Sequence, residues 1–275
     1  MTELLSQYGI LIAALAAVGL FAGLVAGMFG IGGGSVIVPV LFFLFDGMGF
    51  GETAMHVAVS TSLATIILTS IRSVMAHQTH GAVAWNIIRT WAPWIMFGAV
   101  CGIGLSGIMS KQMLLGLFGS LLVLLSLQLI FGRPSWTLAP QMQGGAARAG
   151  LGTAVGTLSA LMGIGGGTFG VTLMTLCSTP IHRAVATAAG WGVAIGLPGA
   201  LAAILVGWGR DGLPPVSLGF VNLPAFALIS AFTVLMAPVG AALAHRLDAD
   251  RLRKLFGLLL AVVALRMVWQ ALGAG

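Results

Sequence analysis

Of the 275 residues, 59 % are hydrophobic and only 7 % charged. A water-soluble domain carries roughly 25 % charged residues, so this chain cannot coat a soluble globule and the soluble enzyme and binding-module classes are excluded. The formal net charge of +6 would suggest nucleic acid in a soluble protein. Here Lys and Arg sit mostly between apolar stretches, where they set topology across a lipid bilayer, and no nucleic-acid partner is expected.

In chain order, the opening MTELLSQYG carries Glu3 and no basic residue, unlike the n-region of a signal peptide. A retained helix is expected at about 9–29 with its N-terminus outside. It runs into Gly30-Ile31-Gly32-Gly33-Gly34-Ser35 and then a short apolar piece at 36–45. Residues 8–45 as one straight helix would measure about 57 Å, too long for a hydrocarbon core of about 30 Å. The glycines therefore read as the tip of a helical hairpin with a short second arm, either re-entrant or crossing. Spans follow near 54–76, 85–107 and 112–132.

The same series then repeats near 147–162, 169–179, 183–206, 220–243 and 252–271. Gly163-Ile164-Gly165-Gly166-Gly167-Thr168 matches the first cluster. Gly81 pairs with Gly219, Gly102 with Gly240, and Leu117-Phe118-Gly119 with Leu255-Phe256-Gly257. His56 pairs with His182 and Thr61 with Thr187. A fixed self-similarity means duplication. The fold class expected is an all-α polytopic membrane protein of two inverted homologous repeats, 1–138 and 139–275, together one transport domain. Each repeat is a glycine-tipped hairpin plus three spanning helices.

Charge placement gives the orientation. If each hairpin returns to its starting side, Arg72, Arg89, Arg133, Arg148, Arg183, Arg246, Arg251, Arg253 and Lys254 share one face. Lys111 and Arg210 remain on the other, with Glu3, Asp46, Glu52 and Asp211. That polarity is what the positive-inside rule expects. Both termini then face outward, the halves are inverted, and a substrate belongs near the midplane between them.

Glycines at a helix start let backbone N–H groups approach a ligand without Cβ obstruction. Those first N–H groups lack internal partners and sit at the positive end of the helix dipole, which makes an anion site. Candidate substrate contacts are therefore Gly32, Gly33, Gly34, Gly165, Gly166 and Gly167, with Ser35 and Thr168 suited to the N-caps of the short arms and to hydroxyl donation. The bland alternative is that glycine only packs helices closely. Three in a row, however, favour irregular backbone, which survives at membrane depth only where protein buries it or a cavity needs it.

All six acidic residues, Glu3, Asp46, Glu52, Asp211, Asp248 and Asp250, fall at span ends or loops. Without a mid-membrane carboxylate, a cation pump or carboxylate proton relay is disfavoured, and no metal, cofactor or catalytic residue is expected. Thr61, with Ser60, Ser62 and Thr65 beside it and Thr187 as repeat counterpart, either lines the pathway or makes ordinary interhelical hydrogen bonds. His56 and His182 begin equivalent spans and are candidates for gating or substrate contact, while His77 and His80 read as loop residues. Arg266 either snorkels to the interface or supplies charge to the substrate. Trp85, Trp91, Trp94, Trp136, Trp208 and Trp269 read as interface anchors, whereas Trp191 lies deeper, near the site. Cys101 and Cys177 read as structural thiols.

The paired motifs GMFGIGGGSVIVPVL and ALMGIGGGTFGVTLM, with AMHVAVSTSLATI in the following span, resemble the sulfite exporter TauE/SafE family of membrane transporters. The resemblance covers essentially the whole chain. It implies a secondary transporter, in the exporting direction, for sulfite, a sulfonate or a sulfoacetate-like anion across the cytoplasmic (inner) membrane. It carries over the glycine motifs and the Ser/Thr stretch. In the second half ATAAGWG is poorer in hydroxyls than VSTSLAT, which weakens the case for symmetric contacts. Alternating access between the halves is the leading mechanism, driven by the anion gradient, the membrane potential or a coupled proton. A homodimer is compatible with the chain. The rivals are a passive anion channel on the same scaffold and a membrane-embedded enzyme.

Overall fold

The computed structural model describes residues 2–30, 32–132, 137–244 and 249–273. Ile31 of the first glycine cluster lies outside the described residues, as do Arg133, Trp136, Arg246 and Asp248 of the charge and interface readings. The first repeat contributes α1 (Thr2–Phe29), α2 (Gly34–Gly47), α3 (Gly51–Gln78), α4 (Trp85–Ser106) and α5 (Lys111–Phe131). The second contributes α6 (Gly145–Leu161), α7 (Gly167–Leu176), α8 (Ile181–Val206), α9 (Leu223–Ala244) and α10 (Ala249–Ala271). A two-stranded antiparallel ribbon, β1 (Ser217–Leu218) and β2 (Val221–Asn222), joins α8 to α9.

Every expected element is present with ends close to those expected. The largest difference is at the start, where α1 begins at Thr2 rather than near residue 9. Hydropathy marks where lipid begins, while the helix continues through good formers such as Glu3, Leu4 and Leu5.

Seven helices are long and apolar enough to cross a membrane, namely α1, α3, α4, α5, α8, α9 and α10. With 17 residues, α6 reaches about 26 Å. With 14 and 10 residues, α2 and α7 reach only about 21 and 15 Å, so neither short arm crosses a core of about 30 Å as a helix. Protein surrounds them instead. Ile37, Leu41 and Phe42 of α2 and Met174 of α7 are fully buried.

The helices pack in a reciprocal pattern. The opening helix of each repeat lies on the fourth helix of the other: α1 packs on α9, and α6 on α4. Repeat counterparts also meet directly, α3 on α8 and α5 on α10. Lipid offers no hydrophobic drive for these contacts, so close backbone approach must supply dispersion and hydrogen bonding. Glycine allows it. Along α1, Gly19 meets Ile229, Gly23 meets Thr233 and Gly27 meets Ala237 and Ala241, so α1 and α9 run parallel. Gly98 and Gly102 of α4 meet Thr153 and Thr157 of α6 in the same way, and Thr157 donates to the Gly98 carbonyl at 3.0 Å.

The counterparts run oppositely. Gly192 of α8 meets Ser70 of α3, whereas Gly196 meets Leu63. Gly119 of α5 meets Val268 of α10, whereas Gly257 meets Ser126.

One aromatic expectation is corrected. Trp91 is not an interface anchor; it is 1 % exposed and stacks on Trp191 with ring centroids 5.6 Å apart. The face of α4 that carries it packs against both α6 and α8, which leaves no route to the bilayer surface. Trp85, Trp94, Trp208 and Trp269 are exposed.

Candidate functional site

The two glycine clusters meet inside the protein. A Cβ placed on Gly32 would lie 3.2 Å from the Gly165 Cα, and one on Gly34 would lie 2.1 Å from the Gly163 carbonyl oxygen. Only glycine fits such an approach. Each cluster also rests on the other repeat's third helix: Gly30 against Val185 of α8, and Gly163 against Val59 of α3.

The two turns use different backbone conformations. Gly30, Gly32 and Gly33 have φ of 67°, 74° and 77°, the left-handed region that only glycine enters without strain. In the second cluster Gly163 is left-handed at 60°, while Gly166 has an ordinary φ of −59°.

The N-cap assignment is corrected here. Gly33 and Gly166 occupy the N-cap positions, with no side-chain cap bond, and α2 and α7 begin at Gly34 and Gly167. Ser35 and Thr168 are thus second residues of their helices, because glycine is needed where a hydroxyl would have capped: Gly33 is left-handed and Gly166 lies hard against Trp191 and Ala188. Both are buried, at 1 % and 4 % exposure, and neither hydroxyl has a hydrogen-bond partner. The first-turn N–H groups of a helix lack intrahelical acceptors as well. The Val36 and Ile37 N–H groups donate to the Gly33 carbonyl, and the Gly170 N–H to Gly166. Each tip therefore offers a free buried hydroxyl donor.

The remaining sequence candidates separate into groups. Thr61 Oγ1 accepts the Asn222 N–H at 2.9 Å, just before α9, and Thr187 Oγ1 accepts the Ala84 N–H at 3.0 Å, just before α4. These two are matching clamps between helices. Ser62 donates to the Gly163 carbonyl at 2.7 Å and so holds the second tip against α3. Ser60 is buried on the same helix.

Trp191 is fully buried and packs on Gly166 and Gly170 at the start of α7, with its indole Nε1–H unpartnered. The structure thus brings the tips, Ser35, Thr168, Ser62 and Trp191 into one interior region.

It leaves others outside that region. His56 Nε2 lies 3.0 Å from the Ser106 carbonyl, and its ring stacks on Phe220 at 5.2 Å. His182 is exposed at the start of α8. Arg266 is exposed and lies over the Phe43 ring at 5.0 Å, as a snorkelling side chain does. His77, expected in a loop, is in the last turn of α3 and 3 % exposed, because α3 continues one turn beyond its most apolar stretch. A surface basin of about 440 Å³ is formed by the 207–219 loop around Arg210 and Asp211 and is lined by none of the tip residues.

The sequence reading missed Thr69, Ser70 and Ser73. With Gly30 and Gly32 they line a narrow interior crevice that does not admit a water-sized sphere. Thr69 Oγ1 lies 2.8 Å from Thr233 Oγ1 of α9 and 3.0 Å from the Thr65 carbonyl. Ser73 and Ser230 are buried with unpartnered hydroxyls. A signal was available: Ser62, Thr65, Thr69 and Ser73 follow at helical steps, the spacing of one helix face.

Comparison with known proteins gives a consistent picture. The Sulfite exporter TauE/SafE family matches residues 15–267. A probable membrane transporter protein of Haemophilus influenzae is 34 % identical over 252 residues, 91 % of this chain and 95 % of that protein. One from Methanocaldococcus jannaschii is 24 % identical over 263 residues, 95 % of this chain and 97 % of that protein. One from Xylella fastidiosa is 26 % identical and covers 90 % of this chain and 92 % of its own. No solved structure matches.

Proposed function

This chain belongs to the sulfite exporter TauE/SafE family and is a multi-pass membrane transporter, and from that premise we propose that it carries a small sulfur oxyanion out across the cytoplasmic membrane. One observation carries the reading: two glycine tips touch inside the protein, each followed by a buried hydroxyl, Ser35 or Thr168, with no partner. Buried polar groups are normally satisfied. Donors left open at two helix starts suit a ligand that brings only acceptors, as a sulfite or sulfonate oxygen shell does.

The substrate-binding set is Gly32, Gly33, Gly34 and Ser35 from the first repeat with Gly165, Gly166, Gly167 and Thr168 from the second. Thr61 contributes by anchoring α9 rather than by meeting the anion. The reciprocal packing of α1 on α9 and α6 on α4, with antiparallel α3/α8 and α5/α10 pairs, supports inverted repeats. A two-fold axis in the membrane plane reverses counterpart helices, and an axis along the membrane normal does not. With Arg72, Arg89, Arg148 and Arg183 on the cytoplasmic face, both termini lie outside. Rocking of one repeat against the other then exposes the tips to each side in turn.

The test is flux of sulfite and methanesulfonate in proteoliposomes, run with and without a proton gradient. Saturable flux with trans-stimulation is expected, and its dependence on the gradient decides whether a proton is coupled. Non-saturating flux without trans-stimulation would make the protein a channel. No flux of either anion rejects the reading.

A further inference from the structure

The tips use only part of the buried polar surface that faces them. Thr69, Ser70 and Ser73 of α3 form one wall of the crevice and Gly30 and Gly32 the other. All three hydroxyl residues are at most 2 % exposed. Ser73 lines the crevice with no hydrogen-bond partner for its Oγ, an arrangement that folding alone disfavours. At the matching positions α8 has no hydroxyl, carrying Ile195, Gly196 and Gly199 instead, and of the three only Thr69 is seen to bond another helix, through Thr233 of α9.

We propose that Thr69, Ser70 and Ser73, together with Gly30 and Gly32, form a second oxyanion subsite on the side of the tips toward the C-terminus of α3, and that it selects singly charged oxyanions. Hydrogen sulfite or a sulfonate would enter it in preference to dianionic sulfite or sulfate. The inference rests on the reading of this chain as an oxyanion transporter. Its physical basis is charge. Among the described residues no Lys, Arg or His lines the crevice, so neutral hydroxyl and backbone donors replace the hydration shell. The cost of desolvating an ion grows with the square of its charge, about fourfold for a dianion, and neutral donors cannot compensate that difference. Ser73 offers an SO₃ oxygen a free hydroxyl donor, and Thr69 would meet a second oxygen by turning its hydroxyl away from Thr65 and Thr233. The crevice is too narrow for a water-sized sphere, so entry requires Gly30 and Gly32 to withdraw from α3, a motion that left-handed glycines permit.

The titratable group on α3 next to the subsite is His77, one turn beyond Ser73, with Arg72 exposed on the far face. A permanently monoanionic substrate separates any effect of theirs from protonation of the cargo.

The full chain in proteoliposomes is assayed with sulfite and with methanesulfonate, on both sides of the second ionisation of sulfurous acid, after subtraction of protein-free vesicles. The sulfite rate at fixed total concentration is expected to rise in proportion to hydrogen sulfite as pH falls, while the methanesulfonate rate stays flat. Ser73→Ala should raise KM for both anions about tenfold with the thermal midpoint unchanged, and Thr69→Val should raise KM to a similar degree while lowering the midpoint through loss of its bond to Thr233. If either variant fails to fold, Ser70→Ala carries the same expectation. Sulfite flux that tracks the dianion, or folded variants with unaltered KM for both anions, overturns the subsite while leaving the transporter reading intact. If the wild type moves neither anion, both readings fall together.

Discussion

Helices α3 and α8 are repeat counterparts that lie antiparallel against each other, and they have kept one set of residues in common and let another diverge. Thr61 and Thr187 hold the same bond, each accepting a backbone N–H at the start of the other repeat's partner helix. Val59 and Val185 each support the opposite glycine turn. Beyond these shared positions α3 presents Ser62, Thr65, Thr69, Ser70 and Ser73, whereas α8 presents Ala188, Trp191, Ile195, Gly196 and Gly199. The glycine turns differ in the same sense, three left-handed residues against one. Groups that hold the scaffold recur in both copies. Along this pair of helices the hydroxyls concentrate on α3, as expected if the substrate path, unlike the fold, is asymmetric.

Four experiments break or sharpen that contrast. The largest effect is expected where the copies touch: Gly34→Leu drives a side chain into the Gly163 carbonyl. Overpacking typically costs about 1–3 kcal/mol, and backbone against backbone cannot relax as a side chain would. Loss of the monodisperse peak in detergent and of all flux is the expected result; a well-folded variant would mean that the tips part readily.

Next come the shared clamps. Thr61→Val and Thr187→Val each strand a buried backbone N–H, at a cost of about 1–3 kcal/mol, and should lower the thermal midpoint to a similar degree. Thr61→Ser and Thr187→Ser should restore it. A drop for one and not the other would show that the scaffold is also asymmetric.

A smaller effect on stability, with a large one on flux, is expected for Ser35→Ala and Thr168→Ala. Their hydroxyls have no partner in the protein, so stability should change by less than about 0.5 kcal/mol while KM for sulfite rises severalfold. Unchanged KM in both variants would assign these hydroxyls to folding alone.

Least of all is expected at the periphery. Lys111 Nζ meets Asp46 Oδ1 at 2.6 Å, both partly exposed, and Lys111→Met should cost at most about 1 kcal/mol with transport unaffected. A transport defect there would move attention from the tips to this face.

Much of the fold was legible in the residues because membrane spans are local features. An apolar run of sufficient length marks a span, and a repeated Gly-rich cluster marks a hairpin tip wherever the rest of the chain lies. The meeting of the two tips followed from the duplication. The division of labour among the hydroxyls did not. Thr61 and Ser73 look alike in sequence, one turn-spaced hydroxyl among several, yet one is tied to Asn222 and the other has no partner. Trp91 looked like any interfacial tryptophan until Trp191, a hundred residues on in the chain, covered it.

What the sequence determined by itself was the approximate ends of the described helices, the recurrence of the glycine cluster, and the places where only glycine would do. Composition, periodicity and steric limits of the backbone act over a few residues and need no partner. The tertiary structure alone decided which hydroxyls are bonded and which remain open, that Gly33 and Gly166 rather than Ser35 and Thr168 cap the short arms, and that the hydroxyls of the crevice come from α3 while α8 contributes Ala189. A hydrogen bond or a close contact depends on what another helix places opposite, and that is fixed only when the two repeats interlock.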